Sequence, residues 1–437
     1  MNYEEALNYI YELNTGIPDE ISLREIKELS HRMENPEKKL RVIHIAGTNG
    51  KGSVGTYIAN ILAMSGYTVG RYVSPALFEY REIIQKITGS MYGLHKEFIS
   101  ESEVADILTV IREKCEQMTA ENMNHPSVFE METVMAFEAM RRWHVDVAVI
   151  ETGMGGLNDA TNIVEKPVMS VITSISMDHM HYLGDTLLDI SKQKFGIVKK
   201  GCPVVSVMHD DECMEELKTV CHEKASTLYV VNAYDVRPYE FSINKTSFEY
   251  FGDKYSLGQG GIFQFENAAL ALKAAEVLQL KGFHLINIQS VKEALLNSRW
   301  QGRFELVSNS PYVIVDGAHN PSAAKALKYS LNAYFPGEKF NLVMGVFKDK
   351  DYESILRTML PCAAHLYTIT APGERGLDAA ELAETAEKIA AGRVKDIQVK
   401  PNIKSALSTI FSGQFPGKTV VFGSLSFLHE VYEYFGR

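Results

Sequence analysis

Residues 41–53 read R-V-I-H-I-A-G-T-N-G-K-G-S, and this stretch decides the fold. Arg41–Ala46 is a short apolar run rich in β-branched residues, the pattern of a strand buried on both faces. Gly47, Gly50 and Gly52 follow it closely, and a helix is expected from Lys51 to Met64. Such a loop curls the backbone so that successive N–H groups face one anion, and the helix N-terminus adds partial positive charge. Lys51 supplies a point charge for the outer phosphates, and the Ser53 hydroxyl a ligand for Mg²⁺. Gly47, Thr48, Asn49, Gly50, Lys51, Gly52 and Ser53 are therefore read as a phosphate loop. A ligand-free glycine turn has no use for the lysine and serine that coincide with it. The commonest loop of this kind places Ser or Thr directly after Lys, whereas here Gly52 intervenes.

Outward from the loop, short apolar runs alternate with helical periodicity, as in α/β units around a largely parallel sheet. Strands are expected at 145–150, 168–175 and 203–208, with a helix over 129–143. From Tyr239 to Gly261 the pattern is polar and alternating, which predicts antiparallel hairpins at a sheet edge. Helices follow at 267–280 and 291–297. After Ser298 the rhythm restarts, with strands at 313–315, 342–346, 366–370, 397–399 and 420–422 separated by helices. The expectation is an α/β protein of two domains, 1–297 and 298–437, the second doubly wound.

The 437 residues suffice for two or three folding units at about 150 residues each. Hydrophobic residues make up 46% and charged residues 23%, a balance that excludes disorder and fibrous repeats. Lys and Arg total 44 against 55 for Asp and Glu, a net charge of -11, and no basic run is present to attract nucleic acid. No apolar stretch is long enough to span a membrane, and M-N-Y-E-E-A-L-N-Y-I lacks the basic start of a signal peptide. Cys115, Cys202, Cys213, Cys221 and Cys362 form no C-x-x-C pair, against both a disulfide framework and a zinc site. A cytoplasmic protein is expected.

G-T-N-G-K-G-S at 47–53 resembles the loop of the Mur ligase superfamily, ATP-dependent enzymes that join an amino acid to a carboxylate. Within it the chain is most similar to the folylpolyglutamate synthase and dihydrofolate synthase family. The resemblance implies an N-terminal P-loop-type Mur ligase central domain and a smaller C-terminal Rossmann-like Mur ligase domain. It also implies ATP, two Mg²⁺, L-glutamate, a pterin- or folate-like carboxylate acceptor and a monomeric state.

Separated motifs carry the same resemblance. E-T-G-M-G-G at 151–156, continuing through Asp159–Asn162, is similar to the family's acidic segment and makes Glu151 a Mg²⁺ ligand. T-S-I-S-M-D-H at 173–179 makes His179 a ligand of the second Mg²⁺. I-S-K-Q-K-F-G-I at 190–197 is similar to a segment whose lysine is carbamylated in many relatives, which assigns that role to Lys194; Gln193 stands where Glu is usual. S-P-A-L-F-E-Y-R-E at 74–82 resembles a mobile loop that gives the Ser74 hydroxyl to the first Mg²⁺ and touches the pterin. Q-F-E-N-A-A at 264–269 assigns Asn267 to adenine, with Phe263 in place of a usual His. W-Q-G-R-F-E at 300–305 assigns Arg303 to the transferred phosphoryl group. D-G-A-H-N-P at 316–321 assigns Asp316 to the nucleotide and His319 to the incoming amino acid, and G-S-L-S at 423–426 assigns Ser424 to glutamate.

Three departures cluster where the acceptor is expected. Ala76 stands where relatives commonly carry His, Ile83 where they carry Arg, and Leu157 where they carry a second Arg. They motivate an alternative, a ligase of the same superfamily with a non-folate carboxylate acceptor. A nucleotide-binding regulator without catalysis is a further alternative, opposed by Lys51, Glu151, His179, Lys194 and Asp316.

Overall fold

The computed structural model describes residues 1–13, 22–90, 92–243, 245–412 and 417–437. The chain divides into two compact units, Met1–Asp235 with Glu266–Ser298, and Val236–Phe265 with Arg299–Arg437.

The first unit is built on an eight-stranded sheet. Its strands are β1 (Val42–Ala46), β2 (Val69–Tyr72), β3 (Ile84–Ser90), β4 (Gly93–Phe98), β5 (Val147–Glu151), β6 (Met169–Ile172), β7 (Val204–Val207) and β8 (Leu228–Val231), in the order β4-β3-β2-β5-β1-β6-β7-β8. β2, β5, β1, β6, β7 and β8 run parallel, while β3 and β4 form an antiparallel edge hairpin. β1, β5 and β6 are buried at every position, because helices cover both sheet faces. The two helices 101–120 and 128–142 each begin with a capping box, Ser100 with Glu103 and Ser127 with Glu130, which satisfies amide donors at the helix start. Together with helices Tyr3–Leu13 and Arg24–Arg32 they supply one apolar cluster of the unit, centred on Leu108, Met131, Phe137 and Ile150.

The phosphate loop leaves β1 between the ends of β5 and β6. That is where a parallel α/β sheet opens a crevice for ligands.

The second unit holds two sheets. β9 (Val236–Ser242), β10 (Lys245–Tyr250) and β11 (Asp253–Leu257) form an antiparallel three-stranded sheet. β12 (Glu305–Asn309), β13 (Tyr312–Asp316), β14 (Phe340–Met344), β15 (Ala363–Thr368), β16 (Asp396–Val399) and β17 (Thr419–Phe422) form a six-stranded sheet, ordered β12-β13-β17-β14-β15-β16. All but β12 run parallel.

Two expectations from the sequence are revised here. The 239–261 segment is antiparallel, but it forms its own sheet rather than the edge of a larger one. It also packs with the C-terminal unit, although the sequence reading placed all of 1–297 in the first domain. The reason lies in hydrogen bonds that no local pattern reveals. The Tyr334 hydroxyl pairs with Thr246 and accepts from the Gly261 N–H at 3.1 Å, and the Ser330 hydroxyl accepts from the Ile262 N–H at 3.0 Å. Smaller shifts occur at element ends. The helix expected from Asn267 starts at Phe263, and the strand expected over 168–175 closes at Ile172, so that 173–176 is free to brace the phosphate loop.

Candidate active site

The phosphate loop is laced to the segment that follows β6. The Thr48 N–H donates to the Ser174 carbonyl at 2.8 Å, and the Thr48 hydroxyl donates to the Ser176 carbonyl at 3.0 Å. The Ser174 hydroxyl donates to the Asn49 carbonyl at 3.1 Å, and the Asn49 amide to the Ser176 hydroxyl at 3.3 Å. These bonds brace the loop against the 174–176 segment. Two glycines make the approach possible. A Cβ on Gly47 would stand 1.8 Å from Thr173 Oγ1, and one on Gly50 would stand 2.5 Å from Asn267 Oδ1. Gly50 also sits at φ +93°, in the left-handed region that side chains disfavour, as the residue that starts the helix Lys51–Met64.

Two lysines converge on one carbonyl. Lys51 Nζ donates to the Gly47 oxygen at 3.1 Å, and Lys194 Nζ donates to the same oxygen at 3.0 Å. Lys194 lies on the helix Leu187–Phe195 and is only 3% exposed. Burial pushes its ammonium down to about 7, and the neighbouring Lys51 adds to the fall, while Asp178 and Asp159 oppose it. The helix carrying Lys194 approaches closely because residue 156 is glycine. A Cβ there would meet the Gln193 carbonyl oxygen at 2.7 Å and the Lys194 carbonyl oxygen at 2.8 Å.

Oxygen donors flank the loop. Ser53 is buried in the first turn of the helix, and Glu151 is buried at the end of β5. The Ser74 N–H donates to Glu151 Oε1 at 2.9 Å, which brings the 74–82 segment and the β5 carboxylate together. Asp159, also buried, accepts from the Met154 N–H at 2.8 Å and the Thr161 N–H at 3.0 Å; burial raises its carboxyl despite these bonds. His179 has a left-handed backbone at φ +51°, and its ring lies 4.0 Å from Asp178. Among the described residues no three or more His, Cys, Asp or Glu side chains form a metal cluster. The hydroxyls of Ser53 and Ser74 and the Glu151 carboxylate are nevertheless hard oxygen donors of the kind Mg²⁺ takes when nucleotide phosphates and water complete its shell.

The residues expected to see the acceptor differ in setting. Ala76 is half-buried against the apolar helical cluster, and Leu157 is exposed. Nearby, Phe129 stacks on Tyr72 with ring centroids 6.0 Å apart and lies against Gly153.

In the second unit, Asp316 ends β13 and is buried. Its two oxygens accept from the Phe304 N–H and the Ala318 N–H, each at 2.8 Å. Burial pushes its carboxyl up to about 6, opposed chiefly by Arg303. Arg303 lies across Gly317, where a Cβ would come within 2.1 Å of its Nη1, and it donates to the Gly302 carbonyl at 3.3 Å. The His319 ring pairs through Nδ1 with the Gly317 carbonyl at 2.8 Å. The Ser424 hydroxyl is held by Ser426, through its N–H at 3.2 Å and its hydroxyl at 2.9 Å. Arg303, Asp316 and His319 thus share one loop cluster, and Ser424 sits at the end of the adjacent strand β17.

Sequence reasoning overlooked Arg71. It is 2% exposed within β2 and donates from Nη2 to the Gly52 carbonyl at 2.7 Å. The signal was available, since a cation inside the buried run V-G-R-Y needs a partner.

A parallel sheet whose first strand feeds a glycine loop, a lysine and a helix defines a P-loop α/β nucleotide-binding protein. Family descriptions refine this class: residues 45–275 match the Mur ligase middle domain, and residues 302–424 match the Mur ligase glutamate ligase domain. Dihydrofolate synthase/folylpolyglutamate synthase of Bacillus subtilis is 33% identical over 367 residues, 82% of each chain. Folylpolyglutamate synthase of Lacticaseibacillus casei is 30% identical over 414 residues, 91% of each chain. Among solved structures, folylpolyglutamate synthase of Thermotoga maritima superposes with a TM-score of 0.82 at 34% identity, covering 99% of this chain and 96% of that one. The Mycobacterium tuberculosis folylpolyglutamate synthase complexed with ADP and AMPPCP gives 0.85 at 27% identity, covering 100% and 99%. The chain belongs to the Mur ligase family and, within it, to the folylpolyglutamate and dihydrofolate synthases.

Proposed function

We propose that this protein is an ATP-dependent ligase that joins L-glutamate to a dihydropteroate or folate acceptor, releasing ADP and phosphate. The observation that carries the reading is likeness along 82% of the chain to a protein named for this activity, supported by a glycine loop on whose Gly47 carbonyl Lys51 and Lys194 meet. A structural neighbour solved as a complex with AMPPCP and folate supports the nucleotide and the acceptor class together. These relatives favour folate over a non-folate acceptor despite Ala76, Ile83 and Leu157.

Amide formation from a carboxylate in water is uphill, so the carboxylate is activated first. One of its oxygens attacks the γ-phosphorus of ATP, giving an acyl phosphate and ADP. The glutamate amine then attacks the acyl carbon, and phosphate leaves with the carboxylate oxygen. The first step brings two anions together, and cations must offset that repulsion. Lys51 takes this role at the outer phosphates, the N–H groups of residues 47–53 cradle the phosphate chain, and Asn267 meets the base. Arg303 is assigned to the transferred phosphoryl group, with Asp316 holding the backbone around it. His319 and Ser424 are assigned to glutamate, and Ala76 and Leu157 border the acceptor. Ser53, Ser74, Glu151 and His179 would hold Mg²⁺, which when bound neutralises phosphate charge. We take the enzyme to act as a monomer. No helix among the described residues is long and apolar enough to cross a membrane. A panel of acids and amino acids separates the readings: ADP release should require a pteridine acid and L-glutamate together, and turnover with unrelated acids alone would refute the acceptor class.

Lys194 is proposed to carry a carbamate. Only the neutral amine reacts with CO₂, and the ammonium pushed down to about 7 is largely neutral above that pH. Protein in carbon-13 bicarbonate should therefore show a carbamate resonance that grows as pH rises through 7 and is absent from Lys194→Arg. A pH-independent signal, or none at high pH, would count against it.

A further inference from the structure

We infer that Arg71 is the positioning residue that holds the phosphate loop in its nucleotide-ready form, acting through the carbonyl of Gly52. The inference rests on the phosphate-loop reading and goes beyond it, because Arg71 lies outside every motif that carries the family resemblance. Strand alternation sends Tyr72 to one face of the sheet, where it stacks on Phe129, and Arg71 to the other, under the helix Lys51–Met64. There the guanidinium runs along the first turns of that helix. A Cβ on Gly55 would stand 3.6 Å from its Nε and 3.7 Å from its Nη2. Its Nη2 donates to the Gly52 oxygen at 2.7 Å, and the Thr56 hydroxyl donates to the same oxygen at 2.7 Å.

Gly52 lies between Lys51 and Ser53, and its carbonyl shares one peptide plane with the Ser53 N–H, so a bond to that oxygen fixes the direction of that N–H. The Gly52 peptide already belongs to the first turn of the helix and accepts from the Thr56 hydroxyl, and the Arg71 guanidinium adds a charged bond to the same oxygen. Burial pushes the guanidinium down to about 10, which leaves it charged at neutral pH, and Glu151 acts in the opposite sense. Arg71 is thus a fixed cation beneath the loop and within the field of the β5 carboxylate. At 2% exposure it cannot touch a substrate itself, which makes it a positioning residue rather than a catalytic one.

The test compares wild type, Arg71→Met and Arg71→Lys in the full chain by calorimetric titration with a non-hydrolysable ATP analogue and by steady-state kinetics. Losing a charged hydrogen bond should raise the analogue Kd in Arg71→Met about ten-fold. The KM for ATP should rise in parallel, while the KM values for glutamate and acceptor stay at wild-type levels. Arg71→Lys keeps the charge and one donor, and should recover most of the loss, leaving about a three-fold deficit. Analogue binding by Arg71→Met within two-fold of wild type overturns the inference, as does Arg71→Lys binding no better than Arg71→Met. If Arg71→Met fails to fold, Arg71→Lys is read alone: a raised Kd supports the role, and an unchanged one overturns it. Wild-type protein that binds no analogue overturns the phosphate-loop reading itself, so the two failures are distinguishable.

Discussion

Replacing Lys51 by alanine should leave a folded protein that forms ADP about a thousand-fold more slowly than wild type, whatever acceptor is supplied. The magnitude follows from what the ammonium does. Removing one preorganised donor from a site of developing negative charge typically costs a factor of about 10²–10³ in rate. The fold should survive because the Lys51 ammonium contacts the Gly47 carbonyl and not the apolar core. Lys51→Arg should stay close to Lys51→Ala, since a planar fork cannot reproduce a compact point charge in a loop this tight. Circular dichroism and an ADP-coupled assay decide it. Near-normal turnover in a folded Lys51→Ala would remove the loop from the chemistry.

The second large effect is expected from the smallest change, Gly47→Ala. The added methyl would stand 1.8 Å from Thr173 Oγ1, 2.9 Å from Thr173 Cβ and 3.2 Å from the Thr173 carbonyl carbon. Backbone on both sides must move, and overpacking of this kind costs about 1–3 kcal/mol. The functional loss should exceed the stability loss, because the Gly47 oxygen is the shared anchor of Lys51 and Lys194. Moving that carbonyl misplaces both ammonium groups at once. Nucleotide affinity should fall by more than the melting temperature suggests, and Thr173→Ala added to Gly47→Ala should restore part of it by removing the nearest atom. Wild-type affinity in Gly47→Ala would mean that the loop tolerates a shift the geometry forbids.

What could be read in advance follows from how local each feature is. The strand, glycine loop and helix at 42–64 were legible because their signals lie in consecutive residues, from the β1 run through Ser53. β1, β5, β6 and β7 and the parallel strands β13–β17 were legible for a related reason, since a parallel sheet covered by helices writes its apolar runs directly into the sequence, whereas β2–β4, β8 and β12 were not read. The partner of the β9–β11 sheet was not. Its attachment depends on Tyr334 and Ser330, which lie far along the chain on the helix Pro321–Tyr334. The N-terminal helices 3–13 and 24–32 and the long helix 101–120 were likewise absent from the reading, although Ser100 with Glu103 is a capping signature visible in the sequence.

The site divides in the same way. Lys51 and Lys194 were both singled out, but from separate motifs, and only the fold shows that they meet on one carbonyl. Glu151 closes β5, one residue past the strand expected at 145–150, while its bond to the Ser74 N–H is a tertiary fact. Arg71 was missed because motif reading follows glycines and spacing, and a lone arginine in a short strand belongs to no motif. Asp316 was expected at the nucleotide, and its two oxygens prove to hold backbone N–H groups beside Arg303.

In the proposed reaction a carboxylate is activated as an acyl phosphate before glutamate attacks. Acceptor labelled with oxygen-18 in the reacting carboxylate tests it directly, incubated with ATP, Mg²⁺, L-glutamate and the enzyme. One labelled oxygen should appear in the released phosphate for each glutamate amide formed, and none in ADP. Amide formation with unlabelled phosphate would contradict the acyl-phosphate route, and label without a glutamate-dependent amide product would contradict the ligase itself.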